Sequence, residues 1–277
     1  MKKLTYFLLI CLSISTYAQS PWTQKKGEAY LQLSFTTIPT YSDIFGNPDF
    51  QTEREINDNT LQLYAEYGIS DRTTLIANLP FKFVATNDLV NPTPFPVTAE
   101  GSESSLGNIQ VGVRHNFYNK KWLISGQLMV EANTSNFDAA TGLRTGYDAW
   151  TFTPVISAGR GFDKWYIQAF TGVDIRTNNY SSAFKLGGEA GYKVGSWLWV
   201  AGFLDGVASF QNGEILQPIT NLRTSLYVND QSYAAFGFKI IGEINKNFGA
   251  NVGLGGALSG RRVAKSPALS FGLYYKL

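Results

Sequence analysis

Strict alternation of apolar and polar residues along residues 60–83 restricts the possible folds of this chain more than any other feature. Odd-numbered residues of 61–69 are apolar, and the even-numbered residues between them are mostly polar. The same odd parity returns along residues 75–83. A period of two gives a β-strand one apolar and one polar face. The polar residues 70–72 between the two runs indicate a tight turn, so the stretch is predicted to form a β-hairpin.

The parity also restricts the turn and the surroundings of the hairpin. Cross-strand partners point to the same face, so the numbers of paired residues must have an even sum and the loop an odd length. With residues 71–73 as the loop, Glu66 would face Asn78 and Gln62 would face Lys82. Such a polar face does not suit a protein core. Two arrangements remain at this point: a soluble sheet with its polar face in water, or a barrel with a wet lumen and an apolar outer face in lipid.

The first residues resemble a secretory signal peptide. Residues 1–18 combine Lys2 and Lys3, an apolar run, and a small-residue cleavage site that ends at Ala18. The formal net charge of +2 falls to 2 − 2 = 0 without the two lysines, which disfavours nucleic-acid binding. The only cysteine, Cys11, lies in this segment, so the mature chain is expected to hold no disulfide.

The rest of the chain repeats the alternation, in roughly twelve segments of about 9–14 residues, the length that a tilted strand needs to cross a bilayer. Short turns alternate with long polar loops, at residues 39–55, 86–104, 133–147 and 212–231. Aromatic residues cluster where strands begin or end, as at Phe117, Trp150 and Trp199, and a further cluster is Tyr274 with Tyr275. These features predict an all-β, antiparallel up-and-down transmembrane β-barrel of about 12 strands over residues 19–277, with aromatic girdles at both interfaces. A soluble secreted β-protein is the alternative.

Charged residues on the polar parity are candidates to line the pore of this barrel. They are Glu66, Lys82, Arg114, Glu131, Asp174, Arg176, Lys185, Glu189, Lys193, Lys239 and Glu243. They could select solutes, or they could form a network of salt bridges that fills the barrel, and the sequence leaves both readings open. Pro80 lies within a predicted strand and cannot donate a ladder hydrogen bond, which predicts a bulge or a local break there.

Catalysis is not expected. His115, the only histidine, has the apolar parity, and its sequence neighbours supply no hydroxyl group for a hydrolase of the serine type. Histidine or cysteine spacing typical of a metal site is absent, and no cofactor is expected.

Two motifs, EYGISDRTTLIANLPF and GNIQVGVRHNFY, resemble a family of outer-membrane proteins associated with the meta-cleavage pathway of phenol degradation. The resemblance continues through residues 147–180. It implies a barrel that passes small, often hydrophobic or aromatic solutes, and an aspartate at the position of Asn108. The end of the chain, SFGLYYKL, resembles the signal read by the outer-membrane insertion machinery.

The sequence therefore predicts a channel or uptake protein in the outer membrane of a Gram-negative bacterium, exported through a cleaved signal peptide. Its expected partners are outer-membrane lipid, the insertion machinery and a small solute, with no nucleic acid. Two alternatives are a closed structural or assembly barrel whose external loops bind a partner and an outer-membrane lipid hydrolase.

Overall fold

The computed structural model describes residues 20–277, so the predicted signal peptide lies outside the described residues. The described part of the chain is built almost entirely of strands, with one short helix, α1 (Ile219–Thr224). The strands are β1 (Ala29–Phe45), β2 (Phe50–Ser70), β3 (Thr73–Leu89), β4 (Gly101–Leu106), β5 (Gln110–Asn119), β6 (Leu123–Glu131), β7 (Thr151–Gly161), β8 (Trp165–Arg176), β9 (Ala183–Val194), β10 (Leu198–Ser209), β11 (Ser232–Glu243), β12 (Phe248–Arg261), β13 (Val263–Ala264) and β14 (Ala268–Lys276).

The strands form one closed antiparallel barrel of 12 strands, which confirms the predicted fold class. Sequential neighbours pair around the ring, and β1 pairs with both β14 and β2, so the sheet has no free edge. The short strands β4 and β5 follow one another along β3 and act as one interrupted member of the ring, and β13 and β14 do the same along β1, so fourteen strands make twelve members. Among the described residues, no helix is long and apolar enough to cross a membrane.

The predicted faces of the strands are confirmed. Along β2, Gln62, Tyr64 and Glu66 point into the barrel and are buried, whereas Leu63 and Tyr67 on the outer face are 43% and 50% exposed. The same contrast runs around the ring, since most of the exposed large apolar residues lie on the outward parity of the strands. An apolar belt outside a polar interior is the arrangement of a barrel that spans lipid.

The register of the first hairpin differs from the prediction. Glu66 pairs with Ile76 and Gln62 pairs with Pro80, two residues away from the predicted partners. The paired numbers do have an even sum, but the turn contains only residues 71 and 72. A register shift after Gly68 inserts one extra residue on β2. This bulge restores the parity that a two-residue turn would otherwise reverse, so the predicted odd loop was wrong.

The predicted break at Pro80 is confirmed. The pairing of β3 with β5 ends at Asn78, and the pairing with β4 begins at Phe81. Pro80 lies between the two and accepts a hydrogen bond from the backbone N–H of Gly107 at 2.9 Å. Because proline cannot donate a ladder hydrogen bond, the neighbouring strand is interrupted at this level.

At the end of the barrel that carries the long loops, strand pairing extends further than the sequence predicted. Residues 39–55 were predicted to form a loop, but β1 and β2 continue through most of them and are joined by residues 46–49 alone. The extended strands pack against two other connections in an apolar cluster, whose buried members are Tyr41, Ile44, Ile56, Val84, Leu143 and Leu226. Burial of this cluster accounts for the extra length of β1, β2 and β3, because each strand contributes to it.

Candidate solute pathway

A cavity of about 970 Å³ occupies the interior of the barrel. Inward side chains of β14, β1, β2 and β3 line one side, and those of β8, β9, β10 and β11 line the other. The cavity, called the chamber below, has a mixed lining of amide, hydroxyl, charged and aromatic groups. Its size and lining suit a small organic molecule.

Nearly all of the predicted pore-lining charges form an ion pair with an opposite charge. Ten of the eleven take part in ion pairs inside the barrel, two of them with the same carboxylate. The pairs are Arg114 with Glu66, Lys82 with Asp58, Arg176 and Lys185 with Asp174, Lys193 with Glu243, and Lys239 with Glu189. Six of the predicted residues also line the chamber: Glu66, Lys82, Glu131, Lys185, Glu189 and Lys239.

Arg114 is the most deeply buried of these charges, with no exposed side-chain surface. Its Nη1 donates to Glu66 Oε1 at 2.9 Å and to the carbonyl oxygen of Trp22 at 2.7 Å, and its Nε donates to Gln127 Oε1 at 3.0 Å. A buried charge is tolerated when a partner charge and hydrogen bonds replace its lost hydration. Arg114 therefore joins three parts of the barrel: β2, β6 and the residues that precede β1.

Glu131 is the predicted charge for which no ion pair forms within the described part of the chain. Amide donors surround its carboxylate instead: Asn108 Nδ2 lies 2.9 Å from Oε1, and Gln110 Nε2 lies 2.7 Å from Oε2. Asn108 also donates to the carbonyl oxygen of Tyr147 at 2.8 Å and accepts from the backbone N–H of Ser135 at 3.1 Å. Asn108 thereby fixes the β6–β7 connection against the gap between β4 and β5.

Glu189 organises the wall formed by β8, β9 and β11. Its carboxylate accepts hydrogen bonds from the hydroxyl of Tyr166 at 2.6 Å and from Gln168 Nε2 at 3.3 Å, and it pairs with Lys239. The ammonium of Lys239 lies 5.3 Å from the ring centre of Phe203. Charge, amide and aromatic groups are thus joined in one layer on the chamber wall.

Aromatic rings form two clusters on opposite sides of the chamber. Tyr30 stacks on Tyr274 at 5.6 Å between ring centres, and Tyr64 approaches Tyr30 edge-on at 6.3 Å. Across the barrel, Tyr166 contacts the rings of Trp22 at 5.9 Å and Trp199 at 5.6 Å. The strand order puts β14, β1 and β2 about half a turn from β8 and β10, so the two clusters face each other.

Two of these rings correct the predicted girdles. Trp199 and Tyr274 were assigned to the lipid interface, but both point inward and line the chamber. Trp122, Trp150 and Trp197 are exposed on the outside, as expected of interface residues. The aromatic clusters found in the sequence contain residues of both faces of the sheet. Parity separates inward from outward rings only when the strand register is known.

A segment that the sequence reasoning missed lies inside the barrel before β1. Residues 20–26, called the N-terminal strap, follow the inner wall near the short turns. The carbonyl of Pro21 accepts from the hydroxyl of Ser125 at 2.6 Å, and the backbone N–H of Gln24 donates to Thr74 Oγ1 at 2.8 Å. A Cβ added to Gly68 or Gly159 would collide with the strap. Inward glycines therefore leave the space that the strap fills, and they are the sequence signal that could have located it.

The opposite end of the barrel is covered by the connections 133–149 and 210–231, which fold inward. Arg144 Nε donates to Asn221 Oδ1 at 3.0 Å, and the hydroxyl of Thr224 donates to the carbonyl of Gly142 at 3.0 Å. Asp138 orders the first connection, and the hydrogen bond from the backbone N–H of Thr141 is the main factor that holds the Asp138 pKa below its usual range. The two loops close over the chamber from the side of the long loops.

His115 has a hydroxyl neighbour that the sequence reasoning did not find. Thr73 pairs with His115 across β3 and β5, and its Oγ1 lies 2.9 Å from Nδ1. The expected absence of a hydroxyl group was based on the sequence neighbours of His115, whereas this hydroxyl lies on the paired strand β3. The ring of Phe117 lies against the imidazole at 4.9 Å on the outer face. Within residues 20–277, no group of three or more histidine, cysteine or acidic residues could hold a metal ion.

Comparison with solved structures shows the same architecture. The COG4313 outer membrane channel from Pseudomonas putida F1 shares 14% identity, over 96% of this chain and 100% of that chain, with a TM-score of 0.72. The translocator domain of the autotransporter NalP from Neisseria meningitidis shares 11% identity, over 91% of this chain and 90% of that chain, with a TM-score of 0.55. The NanC porin shares 6% identity, over 90% and 100% of the two chains, with a TM-score of 0.54. At these identities the likeness concerns the barrel fold.

Family membership rests on the sequence itself. No curated protein sequence matches the chain. Residues 48–273 match a family described as "Putative MetA-pathway of phenol degradation", and this match covers most of the barrel. The resemblance first indicated by the two motifs is confirmed, and the chain belongs to this family.

Proposed function

We propose that this protein is an outer-membrane channel for the uptake of small, uncharged solutes with apolar or aromatic surfaces. The observation that carries the proposal is the chamber, a cavity of about 970 Å³ between two aromatic clusters in a barrel whose charges are internally paired. The structurally similar barrels include an outer membrane channel and a porin, which supports transport as the function. No cofactor is part of the proposal.

Paired charges disfavour selection of ions. Each lysine that lines the chamber lies beside a carboxylate, and Lys193 near the short turns lies 2.8 Å from Glu243. Opposite charges at such distances cancel much of each other's field a few ångströms away. An anion that enters the chamber would lose hydration and meet only lysines that are already paired. The carboxylate of Glu131, which has no ion pair among the described residues, already accepts hydrogen bonds from Asn108 and Gln110. A neutral molecule would lose little hydration. Neutral solutes are therefore favoured.

Aromatic walls supply the attraction for such solutes. Tyr30 and Tyr274 on one side and Tyr166 and Trp199 on the other present large apolar surfaces with polar edges. Such rings bind flat apolar groups and still donate hydrogen bonds at their hydroxyl or indole groups. A ligand between the two clusters would touch aromatic carbon on both sides, which suits a small aromatic compound.

The two ends of the chamber control access. The loops 133–149 and 210–231 cover the long-loop end, and the N-terminal strap narrows the short-turn end. By analogy with outer-membrane barrels, the first end faces the exterior and the second the periplasm. Passage then requires movement of one or more loops, which have fewer ladder hydrogen bonds than the barrel wall and open at lower cost.

The remaining proposals concern location and assembly. The apolar belt and the closed barrel support residence in the outer membrane. We propose export through residues 1–18 as a signal peptide and recognition of β14 by the insertion machinery. Strand β14 is suited to that role because it pairs with β1 and completes the ring.

The proposal is tested by uptake into liposomes that contain the refolded protein. The solutes are benzyl alcohol, benzoate and benzylammonium, which share a ring and differ in charge. Because a membrane passes benzyl alcohol unaided, protein-free liposomes give the baseline for each solute. We expect a protein-dependent increase for the alcohol and none for the two ions. Equal increases for the ions, or no increase for the alcohol, would contradict the proposal.

Single-channel conductance gives a second reading of the paired charges. Lys193→Glu would put two carboxylates side by side at Glu243, and Lys185→Glu would do the same at Asp174. Both variants should make any ion current more cation-selective. Lys193→Glu replaces a neutral pair by two negative charges, and Lys185→Glu changes the net charge of the group formed by Arg176, Asp174 and Lys185 from +1 to −1. Unchanged selectivity would mean that these residues do not face the conducting path.

A second candidate function is a closed barrel whose external loops bind a partner. The observation that favours it is the ordered cover over the long-loop end, with Leu216, Ile219 and Leu222 exposed on its surface. A folded protein that passes neither ions nor benzyl alcohol would support this alternative.

A further inference from the structure

Four large aromatic side chains on the chamber wall each lie over a glycine of the neighbouring strand. At one of them, Phe170 over Gly187, the atom nearest to an added Cβ is a carboxylate oxygen of Asp205, and at the other three it is an atom of the ring. Tyr166 pairs with Gly191, Phe203 pairs with Gly237, and Tyr274 pairs with Gly249, each as direct cross-strand partners. All three rings line the chamber. A Cβ added to any of the three glycines would come closer than 3.0 Å to ring atoms of its partner, a separation that real Cβ atoms do not show.

These glycines let the rings lie flat against the barrel wall. The inward position of a strand normally carries a side chain that projects into the lumen. Where that side chain is a hydrogen atom, the neighbouring ring can occupy the space and reach the backbone. The sequence places glycine at the inward positions of β9, β11 and β12 opposite these rings, so the wall is covered by rings instead of being crowded by two side chains per pair.

Each of the three glycines lies beneath a ring, and a further side chain that lines the chamber lies against that ring. Tyr30 stacks on Tyr274 at 5.6 Å with the ring planes only 24° apart, and Trp22 contacts Tyr166 at 5.9 Å. The ammonium of Lys239 lies over Phe203. A ring that is pushed off its glycine has backbone behind it, so it must move toward the chamber together with the group above it.

We infer that Gly191, Gly237 and Gly249 determine the width of the chamber and hence the size of solute that passes. The effect on the size of solute that passes rests on the proposed function, whereas the effect on the width of the chamber does not. Replacement of one glycine by alanine adds a single methyl group and should narrow the chamber by displacing an entire ring. Replacement of the ring by a small side chain should have the opposite effect.

The test measures the chamber directly through a thiol. Since the only cysteine, Cys11, lies in the predicted signal peptide, Ser270→Cys places a single reactive group on the chamber wall in the processed protein. Its rates of alkylation by a small and by a bulky methanethiosulfonate are compared in the folded barrel. Gly237→Ala should slow the bulky reagent several-fold more than the small one, and Gly191→Ala should do likewise.

Two matched variants distinguish a change in the width of the chamber from a general disturbance of the barrel. Gly242→Ala adds the same methyl group to the same strand, where the nearest atom is an ordinary 3.6 Å away, and should leave both rates unchanged. Phe203→Ala combined with Gly237→Ala should restore fast reaction with the bulky reagent. If Gly237→Ala does not fold, Phe203→Ala alone must speed the bulky reagent beyond the parent rate.

The outcomes are decisive for the inference and distinguishable from failure of the proposed function. Equal rates in Gly237→Ala and Gly242→Ala, or no recovery in the double variant, would overturn the role of the glycines. Liposomes with the same variants report uptake of benzyl alcohol separately. Altered alkylation together with an absence of solute uptake in the parent protein would uphold the inference and reject the proposed channel.

Discussion

Asn108→Asp is expected to destabilise the barrel strongly although it changes only one side-chain atom. The Nδ2 group of Asn108 donates to Glu131 Oε1 at 2.9 Å and to the carbonyl oxygen of Tyr147 at 2.8 Å. The Oδ1 atom accepts from the backbone of Thr134 and Ser135, and aspartate can keep these contacts. The substitution thus removes two hydrogen bonds and sets a carboxylate against two acceptors.

The magnitude follows from these distances. Loss of the hydrogen bond to a charged acceptor costs about 1.5–3 kcal/mol, and loss of the bond to the carbonyl costs about 1 kcal/mol. Two unit charges about 3 Å apart repel by about 5–6 kcal/mol at an effective dielectric constant of about 20. Relaxation of the surrounding structure, and a proton shared between the two carboxylates, reduce the repulsion well below this value. A loss of about 3–6 kcal/mol in the free energy of unfolding at neutral pH is expected.

The assay is urea-induced unfolding in lipid vesicles, followed by tryptophan fluorescence. Asn133→Asp is the matched control, because Asn133 Nδ2 also donates to a carboxylate, that of Asp148, at an exposed site. Solvent screens that pair, so a loss of less than about 1 kcal/mol is expected there. Glu131→Gln should rescue Asn108→Asp, since the new amide can donate to Asp. A loss below about 1 kcal/mol for Asn108→Asp, or failure of the rescue, would refute this account of the site.

Three further results are expected. Arg114→Leu should cost about 3–5 kcal/mol of unfolding free energy, because it leaves Glu66 charged in a buried site, and Glu66→Gln in the same chain should recover part of the loss. Cleavage of the 133–149 connection by an acid-active protease should accelerate as the pH falls below about 4. Because the pKa of Asp138 is lowered in the folded protein, its carboxylate stabilises the connection at pH values above the unfolded pKa, and this stabilisation is lost when the carboxylate is protonated. The Asp138→Asn variant should show no such acceleration. Lys265→Ala breaks an exposed ion pair and should leave the urea midpoint of unfolding unchanged in the same vesicle assay; a clear shift of the midpoint would show that the pair is less screened than its exposure indicates.

Much of the wall of the barrel was predictable, because a period of two is a local property of the sequence. Parity assigned Gln62 and Glu66 to the interior and Leu63 to the exterior without any knowledge of their partners. The strand number followed from counting such segments and the turns between them. The register of the first hairpin did not follow, since the two-residue turn and the bulge after Gly68 each moved the partners by one residue.

The inside of the barrel was less predictable, because contacts across a lumen depend on strand stagger. Asp58 pairs with Lys82, yet it lies before the first residue at which the alternation of β2 was recognised. Trp199 was assigned to the lipid interface because aromatic clustering gives position along a strand but not the face. The N-terminal strap has no periodic pattern at all, and the contacts of Trp22 with Arg114 and Tyr166 became visible only in three dimensions.

The pairing of the inward charges supports one of the two readings that the sequence left open, a network of salt bridges inside the barrel. A set of free lysines would create a positive field and favour anions, whereas each pair such as Lys193 with Glu243 presents a dipole whose field falls off within a few ångströms. Removing one member of a pair leaves the other charge without a partner. Single substitutions should therefore alter ion selectivity even though the intact pairs confer little ion selectivity themselves. Ion selectivity in a variant is therefore a measure of the pairing that was lost. Only a double substitution that replaces both members, such as Lys193→Gln with Glu243→Gln, tests whether the native pair contributes to solute choice. Benzyl alcohol uptake that survives this double substitution would assign the pair to holding the barrel together, and a loss of uptake in a folded barrel would assign it to the solute path.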